Sequence, residues 1–389
     1  MNKLEIKRFN MDAGNSITAS IINGSKDILE LQTAIVKLSN SKAKDYITEK
    51  VAKSDLKDSI LIEVNGQAYL VGKIAKSMAG NDLHINKELH SKLTSDIPYI
   101  MFLASVSVYE AEENYDSNED TQLDIKYFST MLPIFELKSA EKFSTVKEQM
   151  AARFQGEHEF KVLTPGCIKT IKINIEQSKC YEEGLTAKYG LQYNFDLTPN
   201  AVSGKFAGHN TVMVDIGGGT IDEVLLQIGL KPPKSRDDFQ TITEVPYLGM
   251  IKDLRERLRS YFKSARELED FIVANHTNDE YIWVDGLNGN QVNLTEVIKG
   301  ALTDYTDQIM DIILNSYPRL ENGQFYKFNY FGGNAPILKE FILNHLQDKF
   351  SDHIVREYHH IEPDKTARFL NLYGLEILSK QNTLAASEK

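Results

Sequence analysis

The sequence predicts an α/β protein made of two similar halves, and three glycine-centred stretches carry that reading. Residues 211–226, Thr-Val-Met-Val-Asp-Ile-Gly-Gly-Gly-Thr-Ile-Asp-Glu-Val-Leu-Leu, set one acidic residue and three glycines between two apolar β-type runs. Residues 9–22 repeat the scheme, because Met11-Asp12-Ala13-Gly14 and Val214-Asp215-Ile216-Gly217 share the order apolar, Asp, any residue, Gly. In residues 328–339 a β-rich run meets Gly332-Gly333 and then a helical pattern whose Pro336 suits a first turn. The repetition predicts an internal duplication in which each half offers one hairpin and one carboxylate to a shared cleft.

Each hairpin has the chemistry of an anion cradle. Gly217, Gly218 and Gly219 let consecutive backbone N–H groups close around anionic oxygens. A carboxylate such as Asp215 belongs beside a phosphate mainly when a divalent cation lies between them. A tight turn whose glycines serve only the bend is the simpler reading of a lone Gly-Gly-Gly; Asp215, Thr220 and the echo at Asp12 weigh against it. Asp222 reads better as a residue tying the hairpin than as a ligand.

Composition narrows the function. The chain has 389 residues, 42% hydrophobic and 25% charged, a length that predicts about two domains. No apolar run reaches membrane-spanning length, and the basic start lacks the apolar stretch of a secretory signal. Two cysteines, Cys167 and Cys180, fit a reducing cytoplasm, and Cys180 reads as a packing residue. A net charge of -11 argues against a large nucleic-acid surface, so contact with DNA is expected only through an adaptor. There is no cysteine and histidine cluster with zinc spacing, no lysine-containing phosphate loop and no serine nucleophile elbow.

Taken in order, residues 9–22 predict a strand, a turn and a strand. Residues 28–97 read as a small inserted subdomain, with a hairpin at Asn65-Gly66. A helix is expected from 97 to 109, and the acidic run 110–120 reads as a solvated loop. Strands follow near 128–134, 160–163 and 170–175, then Glu176 and Gln177 at a strand end, and a helix over 178–191. Beyond the central hairpin, Gly249 precedes a helix over 251–262 whose Ile251, Leu254, Leu258 and Tyr261 share a face. Further helices are expected at 265–274, 294–317 and 335–350, with a closing helix over 363–380 and a frayed tail.

The motifs Asp12-Ala-Gly-Asn15, Asp215-Ile-Gly-Gly-Gly-Thr-Ile-Asp222 and Gly332-Gly-Asn-Ala-Pro336, in this order, resemble the two phosphate motifs and the adenosine motif of the actin, hexokinase and seventy-kilodalton-chaperone superfamily. The residues 367–374, Ala-Arg-Phe-Leu-Asn-Leu-Tyr-Gly, resemble its closing helix. The length is that of a bare actin-like protein, without the chaperone's peptide-binding domain. Asp-Ala-Gly-Asn, the Leu132-Pro133 strand and residues 171–178 are most similar to ParM, the bacterial actin that segregates plasmids.

That resemblance implies an actin-like ATPase fold, with one domain over 1–165 plus 362–389 and the other over 166–361. It implies ATP or GTP bound with Mg2+, the metal held through water by Asp12 and Asp215. Gly14, Asn15, Ser16, Gly217, Gly218, Gly219 and Thr220 would meet the phosphates, and Gly249, Gly332, Gly333 and Asn334 the nucleoside. Glu176 takes the place of the water-orienting catalytic residue, with Gln177 as its competitor. The implied function is a cytoplasmic filament, assembled from copies of the chain, that moves plasmid DNA through a DNA-bound adaptor of ParR type. A non-polymerising chaperone-like or reactivating ATPase and a small-molecule kinase of the same fold are the competing readings.

Overall fold

The computed structural model describes residues 1–39, 45–78, 91–318, 320 and 324–387. The chain divides into two compact units, Met1–Asn200 with Asn371–Lys389, and Ala201–Leu370.

The strands of the first unit are β1 (Asn2–Ile6), β2 (Phe9–Ala13), β3 (Ile17–Ile22), β4 (Leu29–Gln32), β5 (Ile35–Leu38), β6 (Ile60–Val64), β7 (Gln67–Val71), β8 (Thr121–Ile125), β9 (Phe128–Leu132), β10 (Gly156–Val162), β11 (Lys169–Ile175) and β12 (Ser178–Glu182). They make a seven-stranded sheet, β1-β8-β11-β10-β6-β7-β5, and a five-stranded sheet, β12-β9-β2-β3-β4. Three parallel strands cross from the first sheet to the second through two-residue joints: Lys7-Arg8, Lys126-Tyr127 and Glu176-Gln177. The joints keep their backbone groups paired, Lys126 N–H to the Ile6 carbonyl and Glu176 N–H to the Ile125 carbonyl, both at 2.9 Å. The helix Ile97–Asn114 contributes Met101, Phe102 and Ala104 to the core beneath, and Phe9, Phe102, Phe128 and Phe154 form an aromatic cluster there.

Several expectations change in this unit. The boundary expected at residue 165 falls between β10 and β11, which pair antiparallel along their whole length, so residues 166–200 belong to the first unit. The described part of segment 28–97 is not a separate body: β4 pairs with β3, and β5 to β7 extend the large sheet. Its alternation explains the impression of an insert, since Leu38, Ile47, Leu61, Ala68, Leu70 and Ala75 form a small core of their own while Ile60, Ile62, Val64, Tyr69 and Val71 join the main one. The acidic run begins as helix, and Glu110 is buried against Lys169 at 3.1 Å instead of being solvated. Residues 178–191 are not one helix but β12 followed by the short helix Ala187–Gln192. The closing helix starts at Leu370 and runs to Ser387, through the tail expected to fray, with Gly374 set against the backbone of Thr186.

The second unit has β13 (Thr211–Ile216), β14 (Ile221–Leu226), β15 (Phe239–Ile242), the small hairpin β16 (Ile282–Val284) and β17 (Gln291–Asn293), then β18 (Lys327–Phe331) and β19 (His359–Ile361). Its main sheet is β15-β14-β13-β18-β19. Val212, Val214 and Ile216 face a core shared with the helices Tyr247–Arg257, Thr295–Ser316 and Ala335–Lys349. Residues 362–370, expected in the other domain, fall in this unit, where Glu362 N–H bonds to the Tyr330 carbonyl at 2.9 Å.

The two five-stranded sheets have one topology. From edge to edge, β4-β3-β2-β9-β12 and β15-β14-β13-β18-β19 are each joined by two antiparallel pairings followed by two parallel ones. The duplication read from two Asp-x-Gly hairpins is therefore a duplication of whole sheets.

Candidate functional site

Each hairpin places its aspartate one residue before the strand end: Asp12 lies opposite Ala19, and Asp215 opposite Asp222. The glycine two residues later then meets the turn's returning backbone. A Cβ on Gly14 would lie 2.5 Å from the Ile17 carbonyl oxygen, and one on Gly217 would lie 2.9 Å from that of Thr220. Neither position can accept a side chain without opening the turn. The two hairpins thus share geometry as well as motif.

In the second unit the structure gathers the predicted residues around the β13–β14 turn. Gly217 N–H closes it on the Thr220 carbonyl at 3.0 Å. Leu248 N–H, in the first turn of the helix Tyr247–Arg257, donates to the Gly218 carbonyl at 2.9 Å. Gly249 is therefore inside that helix and not ahead of it. Asn334 donates its side-chain amide to the Gly217 carbonyl at 2.9 Å and its backbone N–H to the Ile216 carbonyl at 3.1 Å. Gly332, at φ +97°, presses against Asp215, where any Cβ would strike the carboxylate and come within 2.7 Å of the Ile216 nitrogen. Its N–H donates to the Ala367 carbonyl at 2.9 Å. A Cβ on Gly333 would meet nothing within 4 Å, so that face of the turn is open. Asp222 is buried and accepts from the Thr241 hydroxyl at 2.7 Å, a hairpin-tying contact.

In the first unit the β2–β3 turn is held from behind. Thr33 donates its hydroxyl to the Gly14 carbonyl at 2.7 Å, while Gln32 donates its amide to the Ser16 carbonyl at 2.5 Å and Thr33 N–H donates to the same oxygen at 3.0 Å. With these carbonyls turned back into the fold, the turn around Gly14, Asn15 and Ser16 is fixed as a cradle.

Glu176 is not brought to this cradle. The pairings Phe9↔Phe128 and Ser178↔Phe128 set Ser178 level with Phe9, so Glu176 sits at the amino end of β12, level with Lys7. It is half-exposed and ion-paired with Lys126 at the sheet joint. Gln177 shares the joint, its carbonyl accepting from Phe128 N–H at 2.8 Å. Parallel strands of such sheets present ligands at their carboxyl ends, and there the chain has Glu182 and Glu183, about 20 Å farther along at roughly 3.3 Å per residue.

These two carboxylates have different partners. Glu182 pairs with Lys147 at 2.6 Å. Glu183 pairs with Lys92, and both side chains are only 13% exposed. Burial works against the Lys92 ammonium, but the carboxylates of Glu183, Asp12 and Glu136 outweigh it and hold its pKa above the ordinary lysine value. Glu183 thus contacts the ammonium, and the charges of Asp12 and Glu136 act on it through space. Reading residues 178–191 as one helix hid this strand end; the alternation of buried Ser178 and Cys180 with exposed Lys179 before Glu-Glu-Gly was the signal for it. Cys180 is buried and its thiol is pushed far up by desolvation, which leaves it inert as a nucleophile.

Among the described residues, no group of three His, Cys, Asp or Glu side chains is arranged to hold a metal ion, and no helix is long and apolar enough to cross a membrane. Gly14 and Gly217 each approach a neighbouring carbonyl too closely for any other residue.

Comparison with known proteins supplies the relationship. Residues 210–365 match the family model of the Alp7A C-terminal domain. The crystal structure of the actin-like protein Alp7A superposes with a TM-score of 0.90 at 37% identity, covering 99% of this chain and 98% of that one. Bacillus thuringiensis ParM with ATP superposes with a TM-score of 0.65 at 16% identity, covering 98% and 99%. The archaeal actin homolog Ta0583 does so with a TM-score of 0.64 at 13% identity, covering 96% and 99%. A search of curated proteins returned no match. The fold is that of the actin-like ATPases, and the chain belongs to the Alp7A-like family of actin-like proteins.

Proposed function

We propose that the chain is a nucleotide-dependent, filament-forming ATPase or GTPase that moves plasmid DNA in the cytoplasm through a DNA-bound adaptor of ParR type. The observation that carries this reading is the pair of hairpins with matching aspartates and glycines in two sheets of one topology. The likeness to Alp7A and to ParM structures with ATP, AMPPNP and ADP supports it.

In this reading, Gly14, Asn15 and Ser16 on one hairpin, and Gly218, Gly219 and Thr220 on the other, donate backbone N–H groups to the phosphates, while the Gly217 N–H closes the turn on Thr220. Phosphoryl transfer needs positioning and charge neutralisation more than covalent help. Asp12 and Asp215 would hold Mg2+ through water, and the metal would neutralise charge on the phosphates. The Gly332-Gly333-Asn334 turn, whose outer face is open at Gly333, would flank the nucleoside with the first turn at Gly249. Glu183 takes the water-orienting role in place of Glu176, because it follows the carboxyl end of β12 and pairs with Lys92, on which the Asp12 charge also acts. The net charge of -11 supports an adaptor as the partner that touches DNA.

Light scattering of the purified chain on addition of Mg-ATP or Mg-GTP tests the reading. A rise followed by decay as phosphate is released is expected. Phosphate release without any rise favours a non-polymerising ATPase, and release that requires a sugar favours a kinase.

A further inference from the structure

Lys92 has no part in the sequence motifs, yet it is the best-anchored cation in the first unit's site. Its backbone is clamped from both sides. Glu136 accepts from Lys92 N–H at 2.5 Å, from Leu93 N–H at 3.0 Å and from the Ser91 hydroxyl at 3.1 Å. Arg153 donates to the carbonyls of Lys92 at 2.6 Å, Leu93 at 2.7 Å and Ser95 at 2.6 Å. Glu136 and Arg153 are thus engaged mostly with main chain, and the Lys92 side chain is left to pair elsewhere. Its ammonium closes on Glu183, and the Asp12 charge acts on it as well. The neighbouring Glu182 has its own lysine, Lys147, so no second cation balances Glu183 among the described residues.

We propose that Lys92 is a built-in counter-ion: it holds Glu183 while no nucleotide is bound and exchanges it for a terminal phosphate oxygen when one is, releasing the carboxylate to orient water. The proposal rests on the nucleotide reading above. An ammonium on a four-carbon stem is a compact charge with three donors, so it can change partners without any backbone movement. The exchange keeps the cation paired at both stages, which avoids the cost of an isolated buried charge. Catalytic readiness would then depend on an occupied site, and empty protein would hold its carboxylate shut.

A double-mutant cycle on the full chain tests this, using Lys92→Met, Glu183→Gln and the pair, each melted without nucleotide and with saturating Mg-AMPPNP. Without nucleotide, the double variant should lose less in Tm than the sum of the single losses, which marks coupling. With Mg-AMPPNP that coupling should fall by half or more. Lys92→Met should also weaken AMPPNP binding by about tenfold and ADP binding by less than about threefold, with partial recovery in Lys92→Arg. Coupling that AMPPNP leaves unchanged, or a Lys92→Met variant that binds AMPPNP like the unaltered chain, overturns the proposal. If the unaltered chain binds neither nucleotide, the nucleotide reading itself fails; the ligand-free cycle separates that result from a missing Lys92–Glu183 contact.

Discussion

The side-chain amide of Asn334 donates to the main-chain carbonyl of Gly217 at 2.9 Å, joining two glycine motifs more than a hundred residues apart in sequence. With the Asn334 N–H on Ile216 and the Gly332 close approach to Asp215, the second hairpin and the third turn are one rigid piece. Asn334 is buried, so removing its amide leaves a carbonyl unpaired. Asn334→Ala should cost about 1 to 2 kcal/mol of stability and weaken nucleotide binding, since the Gly217 peptide loses its fixed orientation. Denaturant melts and nucleotide titrations of the variant check this; unchanged binding would show that the Gly217 turn needs no such support.

Two adjacent glycines should respond differently. Gly332 sits at φ +97° against the Asp215 carboxylate, whereas a Cβ on Gly333 meets nothing. Gly332→Ala should destabilise by about 1 to 3 kcal/mol and displace Asp215, lowering nucleotide hydrolysis with it. Gly333→Ala should leave the stability of the ligand-free protein almost unchanged. Equal melting temperatures for the two variants would contradict the packing described.

The relocation of the water-orienting residue is directly testable. Glu183→Gln should reduce phosphate release by more than about tenfold, and Asp215→Ala should do the same through the metal site. Glu176→Gln removes only a half-exposed pairing with Lys126 and should leave release within about twofold, since exposed ion pairs contribute little. Steady-state phosphate release decides between them, and a loss confined to Glu176→Gln would restore the assignment made from sequence.

That reversal shows what the sequence carried and what it did not. Hairpins announce themselves locally, through Asp, Gly and alternating apolar residues, so Asp12, Gly14, Asp215, Gly217 and Gly332 could be picked out one by one. Sheet membership is not local. Residues 169–175 and 178–182 look like a strand and then a helix, and only their parallel pairing with β8 and β9 shows one path crossing two sheets. Once that crossing was missed, Glu176 stood where a strand end was expected and Glu183 was hidden inside a helix. The same blindness to long-range pairing put the domain boundary between β10 and β11. Lys92 could not be found at all, because its role depends on Glu136 and Arg153, both distant in sequence.

Glu223 predicts how stability should change with pH. It lies on β14 opposite Val214, almost wholly buried, and its Oε1 has no hydrogen-bond partner among the described residues. Burial, with a smaller push from the Asp222 charge, raises its pKa from 4.5 to about 8. The folded protein therefore keeps a proton that the unfolded chain gives up above pH 4.5. Its stability is full below that pH and is lost as pH rises through about 8. Glu223→Gln mimics the protonated form and should melt like the unaltered chain near pH 5. By about pH 8.5 the variant should be the more stable by on the order of a few kcal/mol. The difference between the two melting curves, taken pH by pH, isolates this group from every other titration in the chain, and parallel curves across that range would show that Glu223 is charged in the folded core.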